Sequence, residues 1–139
     1  MNERKFHLRL RSTYQGSKNL VDDLVVEVLK ENNWEALDLN IKSPGFLLFI
    51  NALFSCQHLY MRTNCAERNM ILTSAVGELH LESDKSWEIK DIAISFNAKL
   101  KSGLPTEDDI SYITERMKHC PVSSNLSKHI KITNSVHFV

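Results

Sequence analysis

The 139-residue sequence predicts an α+β fold, with strands in antiparallel groups around one long buried helix. Three observations predict it. Apolar and polar residues alternate with period two in "KFHLRLRS" and in "WEIKDIAISFNAKLKS", the pattern of half-buried strands. From Phe46 to about Arg68 the chain has no Pro or Gly, and its first part, "FLLFINALF", is apolar around most of a helix circumference. The strand patterns also fall in groups before and after that helix, which favours antiparallel pairing over a doubly wound parallel sheet.

The elements follow in order. In "KFHLRLRS", Phe6, Leu8 and Leu10 face one way and Lys5, His7, Arg9 and Arg11 the other. "YQGSKN" reads as a turn. "LVVEVL" and "ALDLNI" are short strand candidates separated by the polar "KENNW". "KSPGF" opens the long helix, with Ser43 expected as N-cap and Pro44 at the first helical position, where its missing N–H costs nothing. The second half of the helix, "QHLYMRTNCAERN", is more polar and is expected to emerge into solvent. "MILTSAVGELHLES" and "WEIKDIAISFNAKLKS", joined by "DKS", predict a long antiparallel hairpin whose second strand buries Ile92, Ile94, Phe96, Ala98 and Leu100 on one face. After "SGLP", Thr106 and Asp109 form a capping box, with Glu107 and Asp108 favourable in the first turn. That helix runs to about His119; Pro121 lets a second short helix start at once, and "HIKITNSVHFV" closes the chain as a strand. No repeat, low-complexity tract or linker divides residues 1–139, so a single domain is expected.

Composition excludes several functions. Lys plus Arg and Asp plus Glu number 17 each, so the chain lacks the basic excess that nucleic-acid binding requires and meets little electrostatic resistance to self-association. "MNERKFHLRLRS" contains no apolar signal core, and "FLLFINALF" is too short to cross a bilayer. Three cysteines without a CxxC pair argue against a secreted disulfide framework and a zinc ribbon. The expectation is a soluble protein of a reducing, cytoplasmic compartment, with neither nucleic-acid nor membrane partners. The six histidines show no HExxH and no paired metal-ligand spacing, so no metal and no cofactor are expected.

The cysteines carry the chemistry. Cys56 and Cys65 are nine positions apart, and at about 100° per residue they point to opposite helix faces. The pair worth weighing is Cys56 with Cys120. Cys120 precedes Pro121 in "MKHCPVSSNLS", where a following short helix would make it an N-cap and favour its thiolate. A buried packing residue, half of a disulfide, a metal ligand and a reactive thiol all fit Cys120 at this level. Cys65 reads as a bystander, and His58 and Gln57 as polar surface or interface residues. Trp34 and Trp87 suggest packing or dimer contacts, and Lys128, His129 and Lys131 a solvated strand end.

From Phe6 to Phe138 the chain resembles the OsmC/Ohr family of thiol-dependent organic hydroperoxide reductases, most specifically in "SPGFLLFINALFSC" and "ITERMKHCPVSSNLS". The resemblance implies an α+β sandwich of antiparallel strands with a long buried central helix, assembled as an intertwined homodimer with active sites at the subunit interface. It implies that Cys56 is the peroxidatic cysteine, attacking ROOH to give alcohol and a sulfenic acid. Cys120 is then the resolving cysteine that condenses with it to a disulfide. A dithiol reductant, lipoyl-linked in some members, would restore the pair. The family pattern also supplies an arginine oriented by a glutamate near the start of the long helix. Here the residues in register are Pro44, Gly45, Phe46 and Leu47, none acidic, and the arginine candidates are Arg9 and Arg11 of the first strand. Two functions therefore stand side by side: a peroxidase working through Cys56 and Cys120, and a catalytically weak or inactive dimeric module that binds an apolar ligand in the same pocket.

Overall fold

The computed structural model describes residues 3–139; Met1 and Asn2, the first two residues of the charged opening stretch, lie outside the described residues. Six strands form one sheet in the order β3-β2-β1-β4-β5-β6, and two helices pack on one of its faces. The strands are β1 (Arg4–Gln15), β2 (Leu20–Lys30), β3 (Asn33–Ala36), β4 (Ile71–Ser83), β5 (Ile89–Ser102) and β6 (Lys131–Phe138). The helices are α1 (Gly45–Glu67), between β3 and β4, and α2 (Glu107–Met117), between β5 and β6.

The alternation read from sequence fixes which sheet face is inside. Leu8 and Leu10 of β1, Leu79 and Leu81 of β4, and Ile92, Ile94, Phe96 and Ala98 of β5 are buried, while their neighbours in sequence face out. α1 lays Ile50, Leu53, Phe54 and Met61 on that apolar face, and α2 adds Ile113 and Met117. Gly77 on β4 makes room for this contact. A Cβ there would meet the Phe96 ring at 2.5 Å, and that ring stacks against Phe54 at 6.0 Å between centroids.

Four details depart from the sequence reading. The third strand is "NWEA", not "ALDLNI", because Glu31 and Asn32 both have positive φ and form a two-residue hairpin turn. The returning strand therefore pairs at once, Asn33 with Lys30, and has ended by Ala36. Ser43 does not cap α1: Pro44 is the N-cap with no side-chain cap bond, and the Ser43 hydroxyl accepts from the Asn40 N–H at 2.9 Å. The second half of α1 does not emerge, since Gln57, His58, Met61, Asn64 and Cys65 are all buried. Finally, β6 runs parallel to β5, so the sheet is mixed rather than wholly antiparallel. α2 is the crossover that such a parallel pair requires.

Other expectations hold. β1, β2, β4 and β5 pair antiparallel in sequence-neighbour and crossover contacts, and β4 with β5 is the long hairpin. The Thr106 capping box is complete: the Asp109 N–H donates to Thr106 Oγ1 at 3.1 Å, and the Thr106 N–H to Asp109 Oδ2 at 3.0 Å. Among the described residues no helix is long and apolar enough to cross a membrane.

Candidate thiol site

α2 packs across α1, and this places the turn after α2 beside the middle of α1. Gln57 joins the two. Its Nε2 donates to the Met117 carbonyl at 2.6 Å, the last carbonyl of α2, and to Cys120 Sγ at 3.2 Å. The Met117 contact fixes the amide orientation, since only the nitrogen can donate to a carbonyl. The Ser123 N–H donates to the same sulfur at 3.3 Å. Cys120 is fully buried, and its carbonyl accepts the Ser124 N–H at 2.9 Å. The second short helix expected after Pro121 is a single 3-10 turn, Ser123–Asn125, preceded by Val122. Val122, not Cys120, is therefore the N-cap of that turn, and the N-cap role expected of Cys120 is not met.

Cys56 lies one residue before Gln57 and is half-buried, a free thiol like Cys120. Cys120 and the Val122 N–H are the neighbours that act on its thiol. Burial, and then the Cys120 thiol, push its pKa up to about 11, against a lowering by the Val122 N–H. None of the groups that set this thiol is an arginine. Cys56 and Cys120, singled out from sequence, are therefore brought together. One sulfur opens toward the surface; the other sits behind it, held by two N–H donors.

The remaining candidates sort differently. Arg9 and Arg11 lie on the outer sheet face and both engage Glu27, at 2.9 and 3.2 Å, with the Arg9 guanidinium 4.2 Å above the Trp34 ring. The first turn of α1 holds no acid. At position 46, Phe46 instead packs with the rings of Phe6, Trp87 and Phe49 at 5.3, 5.0 and 6.2 Å. Cys65 is fully buried, its Sγ 3.8 Å from Met61 Sδ, and burial lifts its pKa to about 12. His58 is no surface residue: it is buried, 2.6 Å from Tyr14 Oη through Nε2 and stacked on Phe96. Burial, aided by Arg62, lowers its pKa to about 4, and burial lifts that of Tyr14 to about 12, so both stay neutral at pH 7. Lys128, His129 and Lys131 are exposed.

Gln57 was the functional residue least visible from sequence. A glutamine inside an apolar helical run, beside a cysteine, was the available signal. Its Oε1 is buried and meets no hydrogen-bond partner among the described residues. A cleft of about 530 Å³ lies at the C-terminal end of α1 between Lys18, Thr63, Glu67, Ile71 and Ser102, and is lined by neither Cys56 nor Cys120.

This fold is shared with solved structures. An OsmC-like protein from Mycoplasma pneumoniae is 12% identical, with 93% of this chain and 95% of that one aligned and a TM-score of 0.55. An OsmC-like hydroperoxide resistance protein from a Jannaschia species is 20% identical, with coverage of 87% and 85% and a TM-score of 0.56. An OsmC-like protein of unknown function from Vibrio cholerae is 9% identical, with coverage of 94% and 97% and a TM-score of 0.52. At these identities the likeness is one of fold. No curated protein matches the sequence. The family model for OsmC-like proteins matches residues 43–135, a span that takes in α1, the β4–β5 hairpin, α2 and both cysteines of the site. On that match, the chain belongs to the OsmC-like protein family.

Proposed function

We propose that the protein is a thiol-dependent peroxidase that reduces organic hydroperoxides through Cys56 and Cys120. The observation that carries this is the placing of a half-buried free thiol, Cys56, next to a fully buried one, Cys120. Cys56 Sγ attacks the terminal oxygen of ROOH; the O–O bond breaks, the alkoxide takes up the thiol proton to leave as ROH, and Cys56 becomes a sulfenic acid. Cys120 Sγ then attacks Cys56 Sγ, forming the disulfide and releasing water. A dithiol reductant supplies the two electrons and two protons that restore both thiols. Gln57 and the Ser123 N–H, both donating to Cys120 Sγ, hold the resolving sulfur in place beside Cys56.

The oxidant is an apolar hydroperoxide on this reading, since Cys56 rises from a helix whose flanking residues include Phe49, Leu53 and Leu59. A homodimer completes the site, with a second copy covering the outward face of α1. The alternative is a binding module for an apolar ligand without turnover. It is favoured by one observation, the lack of any acid in the first turn of α1 and of any arginine acting on Cys56.

Titration of free thiols after cumene hydroperoxide treatment of the reduced protein separates the two. Peroxidase chemistry removes two thiols per chain with formation of a Cys56–Cys120 disulfide. In Cys56→Ser the loss disappears; in Cys120→Ser one thiol is consumed and a sulfenic acid is trapped by dimedone. An unchanged thiol count over hours leaves only the binding module.

A further inference from the structure

The outer face of the sheet carries a second group of reactive side chains, on the side away from the thiols. His7 of β1 and His80 of β4 are direct cross-strand partners. Their rings stack at 3.8 Å between centroids, inclined by 30°. Glu78, two residues before His80 and so on the same face of β4, places Oε1 2.8 Å from His7 Nε2. One donor atom from each of the three residues falls within 4.8 Å of the others. We propose that His7, Glu78 and His80 form a binding site for a divalent cation of the zinc class.

The donor set suits that ion. Two imidazoles and a carboxylate are borderline and hard ligands that Zn²⁺ accepts in tetrahedral geometry, with one position left for water or an external ligand. Hard cations such as Mg²⁺ and Ca²⁺ prefer all-oxygen shells and are not expected here. The rings are also held in place before any ion arrives. The edge of Trp34 meets His7 at 4.8 Å and 74°, and Trp34 is itself held under the Arg9 guanidinium by the Arg9–Glu27 pair. The groups facing the cluster on this side are Arg9, Arg11 and Glu27, which neutralise one another in part, and the Lys5–Glu82 pair one step along the ladder. The outward position of all three ligands, with His80 exposed, gives an ion access from solvent without passing through the core.

The two site thiols would bind zinc themselves, so the test uses the full chain with Cys56→Ser and Cys120→Ser, stripped by chelator and desalted. Zinc chloride is titrated by calorimetry, and cobalt(II) is followed by visible absorption. The expected result is one equivalent of zinc per chain, a cobalt spectrum without thiolate charge-transfer bands, and a rise in thermal midpoint with zinc. Adding His80→Ala, its melting curve compared with and without zinc, weakens binding by about tenfold or more and removes the thermal shift. Glu78→Gln weakens binding while keeping both imidazoles. No binding by the doubly substituted chain up to millimolar zinc overturns the proposal, as does binding that His80→Ala leaves unaltered.

Discussion

The proton on Cys56 is the barrier to its chemistry, and Cys120 helps hold it there. With a pKa of about 11, only about one Cys56 in ten thousand is a thiolate at pH 7. Reactivity that depends on the thiolate should therefore climb about tenfold per pH unit above neutrality and level off only near pH 11. Alkylation of Cys56 by iodoacetamide, followed site by site, measures this directly. Two of the three influences that raise the pKa come from Cys120, so Cys120→Ala should move the inflection down, while burial keeps it above that of a free cysteine. An inflection in the wild-type chain at or below the ordinary thiol value of about 8.5 would show that another group, a cation not among those acting here, ionises Cys56. Cys65, buried and pushed to about 12, should stay unlabelled in the folded chain throughout. Both site cysteines were legible in the sequence because each stands in a distinctive stretch. Gln57 and His58 were misread because polarity in a helix was taken for exposure. Their partners, Met117 and Cys120 for one and Tyr14 for the other, lie 44 to 63 positions away, and nothing local announces them.

Elements that are set by local chemistry were easiest to read, and those set by distant pairing were not. The Thr106–Asp109 box starts α2 within four residues, so sequence spacing was enough. β6 shows the limit: its alternation marks a strand but carries no direction, and only the crossover through α2 makes it parallel. The "YQGSKN" turn was likewise legible as a turn, yet its main role is tertiary. Asn19 is fully buried at φ +52, a backbone region that asparagine tolerates better than most residues. Its Nδ2 donates to the carbonyls of Arg62 and Met70, both at 3.0 Å, and its Oδ1 accepts from the Leu72 N–H at 2.8 Å. One side chain thus ties the β1–β2 hairpin to the end of α1 and the start of β4. Asn19→Ala removes all three hydrogen bonds and puts a residue poorly suited to it at positive φ. It should lower unfolding free energy by about 2–4 kcal/mol, read from urea midpoints, with the thiol pair intact. A change under about 0.5 kcal/mol would mean that water replaces all three bonds and that the clamp is dispensable.

At the scale of the whole molecule, α1 is covered on one side and bare on the other. Sequence showed an apolar helix and placed it inside; the sheet and α2 cover only the face with Ile50, Leu53, Phe54, Met61 and Cys65. Leu48, Ala52, Ser55 and Leu59, at spacings of four, three and four, form the opposite stripe, and Leu59 is 42% exposed. Small residues in the middle of that stripe let another helix approach closely, and a net charge of zero offers no long-range repulsion to a second copy. Cys56 is adjacent in sequence to Ser55 and about 40° around the helix from Ala52, so a helix laid on this stripe also roofs the reactive thiol. Association and reactivity are then coupled. The wild-type chain should sediment as a dimer at micromolar concentration. Leu59→Arg, which places a charge on the exposed apolar residue at the end of the stripe, should give a folded monomer with an unchanged far-UV spectrum. In that monomer Cys56 is more open to solvent, so iodoacetamide reaches it faster, while an apolar hydroperoxide that needs the roofed pocket is consumed more slowly. Opposite signs for the two reagents are the signature of a pocket completed by the partner. If the wild-type chain sediments as a monomer, or if Leu59→Arg changes both rates in the same direction, the stripe is not the roof of the site.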